Sequence, residues 1–171
     1  GYTVCAEIRK RYTVPVLFLT AKSQDSDKTL GFSAGGDDYL VKPFSYNELM
    51  NRVKAILRRY YVYGAKAAEP SSIIYCCGNI EIDTSRCQVR VDGQEVILTD
   101  IEYRILLLLA SHQKRLYSTQ TIYETIWNEP YTYSSNNTVM VHIRNIRRKL
   151  GDDPQNCHTI RTVWGKGYRI E

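Results

Sequence analysis

A basic amphipathic segment in the last third of the chain constrains the fold more than any other feature. Asn136 to Leu150 carries four Arg or Lys residues and no Asp or Glu. At about 100° per residue, four apolar side chains fall on one narrow stripe: Val139, Ile143, Ile146 and Leu150. Polar residues before the segment can cap a helix, and Gly151 can end it. The pattern predicts a helix with one face on a core and a basic face outside.

A short hairpin is predicted soon after this helix. His158 to Glu171 reads as two strands around a turn that contains Gly165 and Gly167. A basic helix followed by a basic hairpin is typical of a winged helix-turn-helix. Its helix enters the major groove of DNA, while the hairpin contacts the neighbouring backbone or minor groove. A solvated basic face and a winged helix that binds protein without DNA are the alternatives.

Composition and charge favour a globular protein that binds a polyanion. The 171 residues suffice for one large or two small domains. The net charge is +5, and seven Lys or Arg against three Asp or Glu after residue 135 contribute +4 of it. No apolar run approaches the roughly 20 residues of a membrane span, so no membrane partner is expected. The five Cys and three His lack metal-ligand spacing, and no nucleophile–base pair suggests an enzyme.

The N-terminal region, residues 1–60, is predicted to be α/β. Val14–Thr20 and Asp38–Val41 read as buried strands, and they alternate with helices at Gln24–Ala34 and Tyr46–Arg59. Two strands do not make a stable parallel sheet alone. We therefore expect three more strands upstream, so that this region is only the second part of a domain.

A second domain is predicted over residues 73–171, after a linker at 61–72 that is rich in small residues. Short alternating strands with a hairpin at Asp92-Gly93 precede a capping box at Thr99 and Glu102. Further helices, the last of them basic, and the hairpin complete an α+β winged helix.

The motifs of both regions resemble one family. Thr20-Ala21, Gly35 to Leu40 (GGDDYL) and Lys42-Pro43-Phe44 resemble the second half of a response-regulator receiver. The C-terminal region resembles the OmpR/PhoB subfamily, and the resemblance covers the whole chain except the linker. It implies a flavodoxin-like, doubly wound receiver with its N-terminal half missing. It also implies a bacterial cytoplasmic transcription regulator that is phosphorylated by a sensor histidine kinase.

The resemblance assigns a phosphorylation switch. Thr20 would bond the phosphoryl oxygens, Lys42 would pair with the phosphate, Pro43 would follow a cis bond, and Tyr39 would be the switching aromatic residue. Without the resemblance, these would read as a strand-end Thr, a surface Lys and a half-buried Tyr. The acceptor aspartate and the acidic pair are not in this chain, so no cofactor is expected here and Mg²⁺ belongs to the complete receiver. The alternative is a phosphorylation-independent regulator that uses the receiver only to dimerise.

The family also implies two protein interfaces. A homodimer would form through the receiver, and three charge pairs match it: Lys28 with Glu48, Asp37 with Arg59, and Asp38 with Arg52. The loop from Asn128 to Ser135 is a candidate contact for RNA polymerase, and its residues Glu129, Tyr131 and Tyr133 are expected to be exposed.

Two kinds of DNA contact are expected. Phosphates would be bound by Arg147, Arg148, Lys166 and Arg161, and base edges would be read by Val141, His142, Arg144 and Asn145. In the hairpin, Thr162, Gly165, Lys166, Gly167 and Tyr168 match the family's Thr-x-x-Gly-x-Gly-Tyr. Thr162 and Tyr168 are candidate DNA contacts, and a core position is the alternative for Tyr168. Trp164 stands where some relatives carry an Arg for the minor groove. The operator, the kinase, its stimulus and the sign of regulation are not encoded in these patterns.

Overall fold

The computed structural model describes residues 1–58, 60, 73–132, 135–152 and 159–171. The predicted linker at 61–72 and Arg59 lie outside these residues, so the predicted domain boundaries stay predictions. Within the described ranges, no helix is long and apolar enough to cross a membrane.

The N-terminal region alternates helices and strands, as predicted. Helices α1 (Tyr2–Arg9), α2 (Asp25–Ser33) and α3 (Tyr46–Arg58) surround strands β1 (Leu17–Thr20) and β2 (Asp38–Val41). The two strands pair in parallel. Strand β1 starts three residues later than predicted. One reason is that the Arg9 guanidinium binds the carbonyl oxygens of Tyr12 and Val14, at 3.4 and 2.6 Å, outside any strand ladder.

The C-terminal region begins with a four-stranded antiparallel sheet in sequence order. Its strands are β3 (Ile74–Cys77), β4 (Ile80–Asp83), β5 (Gln88–Val91) and β6 (Gln94–Glu95). The β5–β6 hairpin turns at Asp92 and Gly93, which have φ of 51° and 77°. This is the predicted hairpin, and both residue types accept left-handed backbone at little cost.

Three helices and a hairpin complete the C-terminal region. Helix α4 (Asp100–Ala110) starts at the predicted capping box, in which Glu102 Oε2 accepts from the Thr99 backbone N–H at 2.8 Å. Helix α5 (Thr119–Trp127) is capped by Ser118. Helix α6 (Ser135–Leu150) is the predicted basic helix, and β7 (Ile160–Val163) pairs antiparallel with β8 (Gly167–Ile170). One apolar core joins the sheet, the helices and this hairpin.

Candidate nucleic-acid interface

Helix α6 is fixed to the C-terminal core by the predicted stripe. Val139, Ile143 and Ile146 are almost inaccessible to solvent, and Leu150 is buried as well. The end of α6 is held by Lys149, whose ammonium lies 2.6 Å from the buried carboxylate of Glu102. The same carboxylate caps α4, so one acidic group ties two helices together.

The β7–β8 hairpin, called the wing below, has a conformation that its glycines permit. Gly165 has φ of +70°, and Lys166 N–H closes the turn on Val163 O at 2.9 Å. Gly167 has φ of +134°, and a Cβ there would collide with the carbonyl oxygen of Tyr117. Tyr168 exchanges two backbone hydrogen bonds with Tyr117. Tyr168 is buried in the core, which favours the core role over the predicted DNA contact.

A groove of about 1020 Å³ separates α6 from the wing. Four cationic side chains line it, namely Arg144, Arg147, Arg161 and Lys166, and no carboxylate is among its described lining residues. Arg144, Lys166 and Thr162 are exposed, as predicted, and so is Arg148 outside the groove. Arg161 is partly neutralised, since its Nε lies 3.5 Å from Glu171. The groove therefore presents positive charge to any polyanion that enters it.

Arg147 holds the wing in place. Its guanidinium donates to Ile160 O at 3.1 and 2.6 Å and to Thr162 Oγ1 at 2.9 Å. It also lies 5.9 Å from the ring centroid of Tyr168. These contacts use Nε and Nη2 of the guanidinium, so Arg147 supports the wing, and its role as a phosphate ligand stays a prediction.

The N-terminal region covers one side of α6. Val141 is 6% exposed, His142 1% and Asn145 2%, although sequence reasoning placed all three outward. Phe32 of α2 is the main cover. Its carbonyl accepts from Asn145 Nδ2 at 3.2 Å, and its ring lies 5.6 Å from that of His142. The predicted exposure of these three residues is wrong here, because a second region packs on the helix.

His142 is held neutral by this cover. Burial lowers its pKa to about 4, an effect that Lys149 reinforces and Glu102 opposes. Neither ring nitrogen has a hydrogen-bond partner among the described residues, and the same holds for Asn145 Oδ1. Such atoms cost free energy when buried.

The predicted switch residues meet at the end of β1. Thr20 Oγ1 accepts from Lys22 N–H at 3.1 Å, and the Tyr39 hydroxyl donates to Lys22 O at 3.1 Å. Burial, followed by the Tyr2 hydroxyl beside it, raises the pKa of Tyr39 to about 12. Lys42 is exposed, and the Lys42–Pro43 bond is cis, as predicted. No cluster suited to a metal ion occurs among the described residues.

The charges assigned to a dimer interface are paired within the chain. Arg52 Nη1 lies 3.1 Å from Asp38 and 3.6 Å from Glu129, and its Nε lies 3.8 Å from Glu48. Asp37 is buried against Arg9 at 2.8 Å. Asp38 and Arg52 thus pair within one chain, and Asp37 is already paired with Arg9, so the intersubunit pairs of Asp38 with Arg52 and of Asp37 with Arg59 stay predictions. Lys28 is partly buried on α2, and its pairing with Glu48 of another subunit stays a prediction.

The candidate polymerase loop is less exposed than expected. Glu129 contacts Arg52 and accepts from the Tyr123 hydroxyl at 3.4 Å, and the rings of Tyr131 and Tyr123 meet edge to face. Both residues are half-buried, and Tyr133 lies outside the described residues.

Sequence reasoning missed Phe32 and Trp127 as parts of the contact between the regions, and Arg9 as the residue that holds Asp37 beside it. Trp127 Nε1 donates to Asp37 O at 3.4 Å, and Arg9 fixes the Asp37 carboxylate. Each reads in the sequence as an ordinary helix residue. Only the packing of two regions reveals them, and no local pattern could have done so.

Comparison with known proteins gives the same two regions. Residues 1–54 match the family described as response regulator receiver domain, and residues 93–170 match transcriptional regulatory protein, C terminal. A Bacillus subtilis protein named uncharacterized transcriptional regulatory protein YrkP is 47% identical over 99% of this chain and 73% of its own length. The chain belongs to the OmpR/PhoB-type response regulators. It is a DNA-binding transcriptional regulator of a two-component system.

Solved structures agree with this assignment of the regulator. The response regulator DrrB of Thermotoga maritima, described as an OmpR/PhoB homologue, is 33% identical over 99% of this chain and 73% of its own, with a TM-score of 0.53. The DNA-binding domain of Klebsiella pneumoniae RstA, solved with its RstA box, is 27% identical over 57% of this chain and 95% of its own, with a TM-score of 0.53. Response regulators that bind DNA as transcription factors are generally not enzymes. The receiver match begins at residue 1, so it does not support the expectation that the N-terminal half of the receiver is missing.

Proposed function

We propose that the regulator reads promoter DNA with α6 in the major groove and with the wing on the adjacent backbone. The observation that carries this proposal is the groove between them, with four cationic side chains and no described carboxylate. A DNA backbone carries one negative charge per phosphate, and neutralising it supplies most of the non-specific affinity.

Roles within the interface follow from exposure and chemistry. Arg144 is exposed on α6 and suits a guanine, to which a guanidinium donates two hydrogen bonds. Lys166 and Arg148 are exposed and suit phosphates, and Arg161 joins them when Glu171 releases it. Val141, His142 and Asn145 would join base reading after the receiver moves away. Arg147 would fix the wing at its angle to α6.

Arg144→Ala tests the base-reading role. Losing a paired contact to one base should relax specificity at a single position, at about 1–3 kcal/mol of discrimination. The measurement is selection from random duplexes, followed by fluorescence anisotropy on the selected duplex and on each single-base variant. Unchanged discrimination at every position would contradict the role of Arg144.

Lys166→Ala is the matched control on the wing. A lost phosphate contact should weaken all sequences alike and reduce the slope of log affinity against log salt by about one unit. A change of base preference in this variant would contradict the assignment of base contacts to Arg144 and phosphate contacts to Lys166. A wild-type chain that binds DNA with little dependence on salt would instead favour a protein-binding winged helix.

We also propose that phosphorylation of the receiver by a histidine kinase promotes binding through a receiver dimer. Thr20, Tyr39 and Lys42 would bind and sense the phosphoryl group, and Mg²⁺ would assist its transfer in the complete receiver. The loop at 128–135 would be available to RNA polymerase after the receiver releases Glu129. Support comes from the receiver match over residues 1–54 and from the Tyr39 site at the end of β1.

A phosphorylation-independent regulator, in which the receiver serves only dimerisation, is the alternative. The intact mass of the protein from its natural source, before and after a small phosphodonor with Mg²⁺, distinguishes the two. A gain of one phosphoryl group would support phosphorylation. No gain would favour the alternative.

A further inference from the structure

The groove between α6 and the wing carries exposed apolar side chains as well as cations. Met140 on α6 and Trp164 at the turn of the wing both line it. Trp164 is 89% exposed and Met140 48%, so both side chains extend into solvent. Arg144 and Lys166 line the same groove. A duplex that meets these two cations would therefore also meet the two apolar side chains.

Trp164 differs sharply from the other tryptophan of the chain. The sequence contains two tryptophans, and Trp127 is 2% exposed, with its ring stacked on that of Tyr123 at 5.0 Å. An indole has a large apolar surface, and such side chains are enriched where proteins bind their partners. The turn that carries Trp164 is closed by the hydrogen bond from Lys166 N–H to Val163 O at 2.9 Å. The indole is therefore held out toward a partner on an ordered turn.

Met140 lies one helical turn before Arg144. Residues four apart share a face of an α-helix, and both residues line the groove. Met140 would therefore reach a base edge close to the one that Arg144 reaches. In the major groove, thymine presents its 5-methyl group beside an acceptor oxygen. An uncharged, adaptable thioether side chain suits that methyl group, because the contact needs packing and no hydrogen bond.

Neither side chain carries a charge, and this separates their effect on DNA binding from that of the cations. A cation that neutralises a phosphate releases counterions, so its contribution to affinity falls as salt rises. Apolar burial depends on the area that is removed from water and releases no counterions. An Arg at position 164 would therefore steepen the salt dependence, whereas Trp164 would add affinity without changing it.

We propose that Met140 packs on the 5-methyl group of a thymine in the major groove and that Trp164 packs on the deoxyriboses beside the wing. Together they give the regulator a part of its DNA affinity that does not depend on salt. This inference rests on the proposed function, because it names a further specificity residue of the same interface. It assigns a thymine to a base pair close to the one that Arg144 reads.

Met140→Ala, combined with replacement of thymine by uracil, tests the thymine contact. Uracil lacks only the 5-methyl group, so the exchange removes the apolar contact and keeps the base pair. On a duplex selected on the wild-type chain, the exchange at one position should weaken wild-type binding about fourfold, the factor for about 0.8 kcal/mol per buried carbon group. The same exchange should leave binding by Met140→Ala unchanged. If every exchange affects both proteins equally, the role of Met140 is wrong.

Trp164→Ala tests the wing contact by its salt dependence. The variant should bind selected DNA about tenfold more weakly at every salt concentration, while the slope of log affinity against log salt stays that of the wild type. Ile97→Ala is the matched control, since Ile97 is 66% exposed and is not among the residues that line the groove. It should bind as the wild type does. Wild-type affinity of Trp164→Ala, or a loss accompanied by a flatter slope, would overturn the proposal.

Quenching of tryptophan fluorescence by acrylamide gives a second readout of the wing. In the free chain, acrylamide should quench the exposed Trp164 and spare the buried Trp127. A selected duplex should protect the Trp164 fraction, and Trp164→Ala should lack that fraction. If a bound duplex leaves the quenching of the wild type unchanged, Trp164 stays in solvent and the proposed wing contact is wrong.

Failure of this inference and failure of the proposed function give different results. A wild-type chain that binds no selected duplex contradicts the proposed function and this inference with it. A wild type that binds with a steep salt dependence, while Met140→Ala and Trp164→Ala bind equally well, contradicts the apolar contacts alone. Both side chains are exposed, so neither variant should change the free energy of unfolding, which urea unfolding checks.

Discussion

Two sides of one helix, both buried, differ in kind. The inward side of α6 carries Val139, Ile143 and Ile146, which are apolar and join the C-terminal core. The receiver side carries Val141, His142 and Asn145, which are also buried but include polar atoms that have no hydrogen-bond partner among the described residues. Burial alone therefore does not separate a core from a surface that is covered only in one arrangement. The two kinds of surface differ in whether their buried polar atoms have described hydrogen-bond partners.

Ile143→Ala should give the largest effect on stability. Removing a fully buried side chain from the inward side should cost about 2–5 kcal/mol of the free energy of unfolding. Urea unfolding followed by circular dichroism measures it. Val141→Ala on the receiver side is the comparison, and it should cost clearly less, since only a separable contact loses apolar area. Equal losses would mean that both sides of α6 belong to one core.

The second largest effect is expected from acidification, which should lower the stability of the form in which His142 is buried. Below pH 6.5, the ordinary pKa of His, an uncovered imidazole takes up a proton, whereas His142 stays neutral until about pH 4. The covered form therefore loses stability as the pH falls through this window, by roughly 2 kcal/mol at pH 5. The charges that act on His142 are Glu102, which favours the proton, and Lys149, which opposes it.

Wild type and His142→Leu should be compared by urea unfolding at pH 7 and pH 5. The comparison is needed because burial raises the pKa of Asp37 to about 7, which changes the pH dependence of both proteins in the opposite sense. The wild type should lose more stability than the variant between the two pH values. Parallel losses would show that His142 is already solvated.

Asn145→Ala should have the smallest effect on stability, below about 1 kcal/mol. The variant loses the hydrogen bond to Phe32 O but also removes a buried oxygen that has no described partner, and these two effects oppose each other. Affinity for selected DNA should nevertheless fall, because Asn suits adenine. A large loss of stability with unchanged DNA binding would assign Asn145 to the core and would merge the two sides of α6.

Most of the fold was predictable because its signals are local. The capping box at Thr99 and Glu102, the Asp92-Gly93 turn and the stripe on α6 each depend on residues close in sequence, and each is present. Strand ends were less predictable, as at β1, where a side chain from α1 binds the preceding carbonyl groups. The boundaries of the domains stay predictions.

The candidate site was predictable only in part. The wrong predictions concern residues whose environment is set by contacts with a distant part of the chain. Helical periodicity placed Asn145 opposite the core stripe and His142 beside that outward face, which is correct for α6 alone. It could not reveal that α2 covers that side. Likewise, the charges of Asp38 and Arg52 were correctly seen as complementary, but the sequence does not say that they meet within one chain.

The bond network of Arg147 has a consequence for the length of the binding site. This guanidinium connects α6 to the backbone at Ile160. The distance between the helix and the wing is therefore fixed before DNA binds. These contacts do not involve the receiver, so a receiver variant should leave the distance between α6 and the wing unchanged. Receiver variants should therefore change promoter occupancy while every footprint keeps the same length.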